Sequence, residues 1–209
     1  PELKKDIEYI QRLGVEIRTN ARVGEKPKLS ELQKLYDAVL MASGAHNSLK
    51  LGVPGEESQG VFHGIDFLRA VNLGQKVEIG QRVAVVGGGN TAIDAARVAR
   101  RLGSTVTIVY RRGRDEMPAN DVEIEAAEAE GIQIMLLTAP TKVIAEGGKV
   151  TAMECVKMRL GAPDASGRPR PETIPGSEFR LEVDTVIPAL GQAPNLSFAK
   201  EPEVAATGR

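Results

Sequence analysis

Gly87, Gly88 and Gly89 lie between the apolar run Val83-Ala84-Val85-Val86 and the polar pair Asn90-Thr91, and together have the composition of an anion cradle. Gly87, Gly89 and Ala92 fall on the small-residue positions of the G-x-G-x-x-G/A dinucleotide fingerprint. The first glycine permits a sharp turn out of a strand, the second lets backbone approach a pyrophosphate, and the alanine lets a helix pack closely on a sheet. Free N–H groups and the dipole at that helix N-terminus favour phosphate, and Asn90 or Thr91 could cap it. A second group of chemistry-bearing residues follows in Tyr110-Arg111-Arg112-Gly113-Arg114. A site for NAD usually presents Asp or Glu there to the ribose 2′-OH, whereas guanidinium groups pair with a 2′-phosphate. Arg111 and Arg112 therefore favour NADP(H); a solvated basic loop after a strand is the plain structural alternative.

The elements that must position these residues are legible on either side. β-Branched Val83, Val85 and Val86 suit a strand buried on both faces. Ala92, Ala95, Ala96, Ala99 and Leu102 recur at helical spacing with Asp94, Arg97, Arg100 and Arg101 opposite, and Gly103 closes the helix. Residues 105–110 form the next strand and complete a βαβ unit of about 30 residues. Asn120 and Glu123 form a capping box for a helix running to Gly131, with Glu123, Glu125, Glu128 and Glu130 as a solvated face, and residues 132–137 read as a third strand.

Residues 141–145 and 149–160 flank Gly147-Gly148 as a hairpin, with Val150, Ala152, Val156, Met158 and Leu160 on one face and a structural Cys155 on the other. Residues 161–176, rich in Pro, Gly and Arg, read as a long loop, and 184–192 as an apolar strand with a small-residue exit.

Before the glycine turn, a helix is expected over 2–13, a strand over 15–18 and a short helix over 31–35 capped by Ser30. A buried strand over 36–45 ends in Ala42-Ser43-Gly44, an exit suited equally to a tight turn or to close approach of a ligand. Residues 52–60 read as an interdomain linker and 61–74 as a helix, with His63 a packing or surface residue. The pattern of Asp, apolar run and glycine occurs twice, at 37–44 and again at 184–191. The expected fold class is α/β: a Rossmann-like NAD(P)-binding domain with a parallel sheet and a β-hairpin layer, over 51–192. A remnant of a second, FAD-binding α/β domain over 1–50 and the start of a return segment over 193–209 flank it.

Bulk properties exclude several classes. A net charge of −1 gives no reason to invoke nucleic acid or a membrane surface. The single cysteine rules out an intramolecular disulfide and a Cys-x-x-Cys redox centre. No apolar run approaches the ~20 residues of a membrane span and no signal-peptide pattern opens the chain, so a cytoplasmic protein is expected. Pro1 at the start and the open end at Arg209 suggest a piece of a longer chain.

The paired segments 36–45 and 184–195, the Gly-Gly-Gly-Asn-Thr-Ala-Ile-Asp-Ala-Ala-Arg helix start, the stretch 109–119 and the Gly-Arg-x-Arg-Pro loop resemble the flavoprotein reductases with two dinucleotide-binding domains. Within them the chain is most similar to the small (beta) subunit of NADPH-dependent glutamate synthase and its relatives, which include the reductase part of dihydropyrimidine dehydrogenase. The resemblance implies that NADPH gives hydride to FAD and that electrons pass to an iron–sulfur partner subunit or domain. It implies that Gly87, Gly88, Gly89, Asn90 and Thr91 hold the pyrophosphate and Arg111 and Arg112 the 2′-phosphate. Ala189, Gly191 and Gln192 would lie near nicotinamide and flavin, and Ser43 and Gly44 would line the FAD site. The family's FAD fingerprint and Cys-rich segment would lie upstream of Pro1, and its last FAD contact beyond Arg209. The piece alone is therefore expected to bind NADP(H), not to hold FAD, and to be catalytically silent. A thioredoxin-reductase-type activity needs a cysteine pair that is missing, and an NADP(H)-sensing module without catalysis is the alternative of another class.

Overall fold

The structure, a computed structural model, describes residues 2–164, 167–195 and 197. Most of the expected return segment 193–209 lies outside them. The described residues form two compact units, one being Ala45–Ala193 and the other what precedes and follows it.

The outer unit has α1 (Glu2–Arg12) and α2 (Leu29–Leu35) and, among the described residues, no strand. Leu3, Ile7 and Ile10 set the period of α1, although all three are exposed. The expected strands at 15–18 and 36–45 are irregular chain, and Leu40 in the second is 90 % exposed. A strand exists only as a paired ladder, and among the described residues no segment pairs with either run. Lys28, not Ser30, takes the cap position of α2, where its N–H donates to the Glu31 carboxylate at 2.9 Å.

The inner unit begins with β1 (Asn47–Ser48), α3 (Gly64–Asn72), β2 (Arg82–Val86), α4 (Asn90–Arg101), β3 (Thr105–Val109), α5 (Asp121–Ala129) and β4 (Gln133–Met135). It continues with β5 (Thr138–Glu146), β6 (Lys149–Pro163), β7 (Pro169–Thr173), β8 (Phe179–Glu182), β9 (Thr185–Pro188) and β10 (Gln192–Ala193). A parallel sheet in the order β4-β3-β2-β9 is the middle layer. Its side chains alternate between two cores. Val83, Val85, Val106 and Ile108 meet Phe67 of α3, the alanines of α4 and Ile124 of α5. Ala84, Val86, Val109 and Val186 meet Val143, Val150, Met153 and Cys155 of the antiparallel layer. Each fully buried Val or Ile contributes roughly 1.5–3 kcal/mol, so covering both faces is what stabilises these short strands.

In the antiparallel layer β6 pairs with β5, β7 and β8. Gly147 (φ 58°) and Gly148 (φ 81°) supply the two left-handed residues of the expected hairpin turn. A register shift beside Ile144 changes which residues of β6 face the parallel sheet, so Cys155 joins Val150 on the core side instead of opposing it. Much of the expected loop 161–176 is strand: β6 runs on to Pro163 and β7 pairs back along it, Leu160 against Pro171 and Pro163 against Pro169. Proline is tolerated because β7 is an edge strand, whose outer side needs no N–H. Segment 52–60 is bound to the inner unit, since Val143 N–H donates to the Pro54 carbonyl at 2.9 Å and Gln59 N–H to that of Gly148 at 3.0 Å.

The acidic face of α5 is tied to its surroundings as well as solvated. Arg97 of α4 bridges Glu123 and Glu130, Arg101 reaches the same Glu130, and Arg114 holds Glu128. The hydrogen bonds from Arg97, with that from Arg101 behind them, hold the Glu130 carboxyl below its usual range.

Candidate functional site

The carboxyl ends of β2, β3 and β9 open onto one cavity of about 560 Å³, walled there by Val86, Val109 and Ala189. From β2 the chain proceeds to β3 and β4 on one side, while β9 pairs on the other, so the topology switches direction at β2. Open α/β sheets bind ligands in the crevice at that point.

Each glycine of the turn has a separate reason. Gly87 has φ 149°, and a Cβ there would collide with the Ala189 carbonyl oxygen. At Gly88 a Cβ would fall 2.6 Å from the Tyr110 ring. Gly89 is different: its φ is −93°, and a Cβ would meet nothing nearer than the Pro118 Cγ at 3.8 Å. Its missing side chain leaves room in the cavity and relieves no strain in the protein. Gly89, not Asn90 or Thr91, is the cap residue of α4, and no side chain caps it. Among the described residues the N–H groups of Gly89, Asn90 and Thr91 find no acceptor. Uncapped donors at a helix N-terminus beside an open cavity fit the phosphates of a dinucleotide.

The polar side chains of this end have their own tasks. Asn90 Oδ1 accepts the Asn120 N–H at 3.0 Å, and Asn120 Oδ1 in turn accepts the Val122 N–H at 3.2 Å. Half of the expected capping box is therefore present, Glu123 turning to Arg97 instead. Thr91 Oγ1 accepts from Gln192 Nε2 at 3.4 Å.

The basic wall is built from two elements. Tyr110 lies over Gly88 and its hydroxyl donates to the Glu116 carbonyl at 2.6 Å. Arg111 is exposed and, among the described residues, its guanidinium has no partner, whereas Arg112 is 7 % exposed and ion-paired with Asp164 at 2.9 Å. Both line the cavity. So does Arg168, from the turn between β6 and β7, which motif reasoning did not select as a site residue. Its signal was the Gly-Arg-x-Arg-Pro segment itself, read only as loop.

Of the other expected residues, Ala189 and Gly191 line the same cavity, and Gln192 touches it through Thr91. Ser43 and Gly44 belong to the outer unit and are absent from the cavity lining. Among the described residues no group of three or more His, Cys, Asp or Glu side chains could hold a metal, and no helix is long and apolar enough to cross a membrane.

Residues 2–209 match the pyridine nucleotide-disulphide oxidoreductase family, and the chain belongs to that family. Over 201 residues it is 50 % identical to the NADPH-Fe(3+) oxidoreductase subunit beta of Geobacter sulfurreducens, covering 94 % of this chain and 30 % of that protein. The NADP(+)-dependent formate dehydrogenase subunit beta of Moorella thermoacetica is 49 % identical, with 94 % of this chain and 28 % of that one covered. For the glutamate synthase [NADPH] small chain of Halomonas elongata the figures are 37 %, 93 % and 45 %. The chain thus spans under a third of the first two relatives and less than half of the third. Among solved structures, Mycobacterium tuberculosis FprA in complex with NADPH superposes with a TM-score of 0.70 at 23 % identity, covering 82 % of this chain and 53 % of that one. Thioredoxin reductase of T. acidophilum follows at 0.55 and 22 %, covering 74 % and 44 %. Identities this low bear on the fold alone.

Proposed function

We propose that the chain is the NADP(H)-binding part of a cytoplasmic flavoprotein oxidoreductase that passes hydride from NADPH to FAD, with electrons going on to an iron–sulfur partner, as in the small subunit of glutamate synthase. The observation that carries this reading is the cavity at the β2 switch point, lined both by the uncapped N-terminus of α4 and by arginines. NADPH, when bound, supplies the hydride. The protein's part is to bind and orient. Backbone N–H groups from Gly88 to Thr91 take the pyrophosphate in place of water, and the basic segment after β3 takes the 2′-phosphate. Ala189, Gly191 and Gln192 form the wall for the nicotinamide end. Ser43 and Gly44 are assigned to the FAD side of the longer protein, and the piece without the rest of that side is inactive. The names of the relatives, two of them subunits of NADPH- or NADP(+)-dependent oxidoreductases, support the reading.

The test is reduction of ferricyanide by the full-length protein. Flavin-dependent turnover with NADPH, and much less with NADH, is expected. NADPH binding without any turnover would make the protein a sensor, and equal use of NADH would remove the 2′-phosphate from the assignment.

A further inference from the structure

The two arginines after β3 are used differently. Arg111 is exposed and, among the described residues, its guanidinium has no acceptor. Arg112 is buried: its Nε donates to the Pro169 carbonyl at 2.9 Å and its Nη2 to Asp164 Oδ2 at 2.9 Å. These acceptors stand at the two ends of the turn that joins β6 to β7. Asp164 N–H also donates to the Arg168 carbonyl at 2.8 Å, and Gly167 N–H to that of Asp164 at 2.9 Å. Asp164 Oδ1 receives the Arg168 N–H at 3.4 Å. Arg168 stands on the cavity wall, where its Nη2 donates to the Tyr110 hydroxyl at 3.1 Å and to the Glu116 carbonyl. Among the described residues Nε and Nη1 of Arg168 have no acceptor, so most of that fork is available.

We infer that Arg168 and Arg111, which both line the cavity, form the recognition pair for the 2′-phosphate, and that Arg112 is a positioning residue whose bonds to Asp164 and Pro169 hold the chain on both sides of Arg168 so that Arg168 reaches the cavity. The inference rests on the NADP(H) reading. A phosphate near neutral pH carries about −1.5 to −2 charge, which suits two guanidiniums on one cavity wall. Arg112 is poorly placed to serve, because turning it toward a ligand would break both its ion pair with Asp164 and its hydrogen bond to the Pro169 carbonyl. Arg168 needs no such exchange, and Tyr110, packed on Gly88, ties it to the phosphate turn.

The measurement is binding of 2′,5′-ADP and of 5′-ADP to the protein and its variants by calorimetry. Arg168→Ala is expected to weaken 2′,5′-ADP roughly 10-fold or more, the scale of one charge-assisted contact, and to leave 5′-ADP within about 2-fold. Arg112→Ala should weaken 2′,5′-ADP as well, but in an Arg168→Ala background it should add nothing, whereas Arg111→Ala should add a further loss. If Arg112→Ala unfolds the protein, Asp164→Asn, which releases the same turn from its other side, takes its place. Equal loss of both nucleotides in Arg168→Ala, or no loss, overturns the inference while leaving the NADP(H) reading intact. So does a further loss from Arg112→Ala in the double variant, which would mean direct contact. If the unaltered protein does not bind 2′,5′-ADP, both readings fall.

Discussion

The backbone N–H of Asn120 donates to Oδ1 of Asn90 over 3.0 Å, so the first residue of α4 holds the cap residue of α5. The Asn90 side chain is therefore committed to structure, which leaves its backbone N–H for the proposed phosphate. Asn90→Asp keeps the acceptor but sets a negative charge beside the cradle. Its melting temperature should stay within a few degrees while NADPH affinity, read by nucleotide fluorescence, falls about tenfold. Asn90→Ala should instead lose about 1 kcal/mol of stability in urea unfolding. Equal affinity in Asn90→Asp and the unaltered protein would move the anion away from this helix end.

The glycine turn predicts opposite outcomes at neighbouring positions. Gly88→Ala places a methyl against the Tyr110 ring, which its hydroxyl bond to Glu116 keeps from yielding, and should cost about 1–3 kcal/mol. Gly89→Ala meets nothing of the protein closer than 3.8 Å, so stability should change by less than about 0.5 kcal/mol while NADPH binding drops. Chemical denaturation and fluorescence titration on the same two variants separate the cases.

Cys155 is fully buried, and burial pushes its thiol up to about 11. At pH 8 roughly one molecule in a thousand would carry the thiolate even if reagent could reach it. Native protein should resist a maleimide for hours and react at once in denaturant. Rapid labelling without unfolding would contradict the core position of β6.

Asp184, just before the last parallel strand, is paired with Arg82, whose hydrogen bond holds the carboxyl below its usual 3.8. A lowered folded value means that the pair stabilises above pH 3.8 and that this contribution is lost as pH falls through the folded value. Asp184→Asn should be less stable at pH 7 by about 0.5 kcal/mol, the pair being partly solvated. The gap should close in acid. A gap that persists at pH 2.5 in urea titrations would point to packing instead of charge.

What could be read in the chain was local. β2, the glycine turn, α4 and β3 follow from side-chain period and from one fingerprint, because both faces of a parallel strand are buried and the helix shows its alanines. The cap at Asn120 was readable for the same reason. Pairing over distance was not. Residues 36–45 have the composition of a strand but no described partner, and β7 has the composition of a loop but pairs as an edge. The arginines repeat the lesson: adjacent in sequence, Arg111 and Arg112 look equivalent, and it takes Asp164 and Pro169, 52 and 57 residues on, to distinguish them.

β1 and β10 pair Asn47 with Ala193 and Ser48 with Gln192, which brings the two ends of the inner unit side by side. A unit with neighbouring ends can be circularly permuted. A short bridge between Ala45 and Ala193, with new termini cut at the exposed Gly147-Gly148 turn, would leave the parallel sheet and its switch-point cavity uninterrupted.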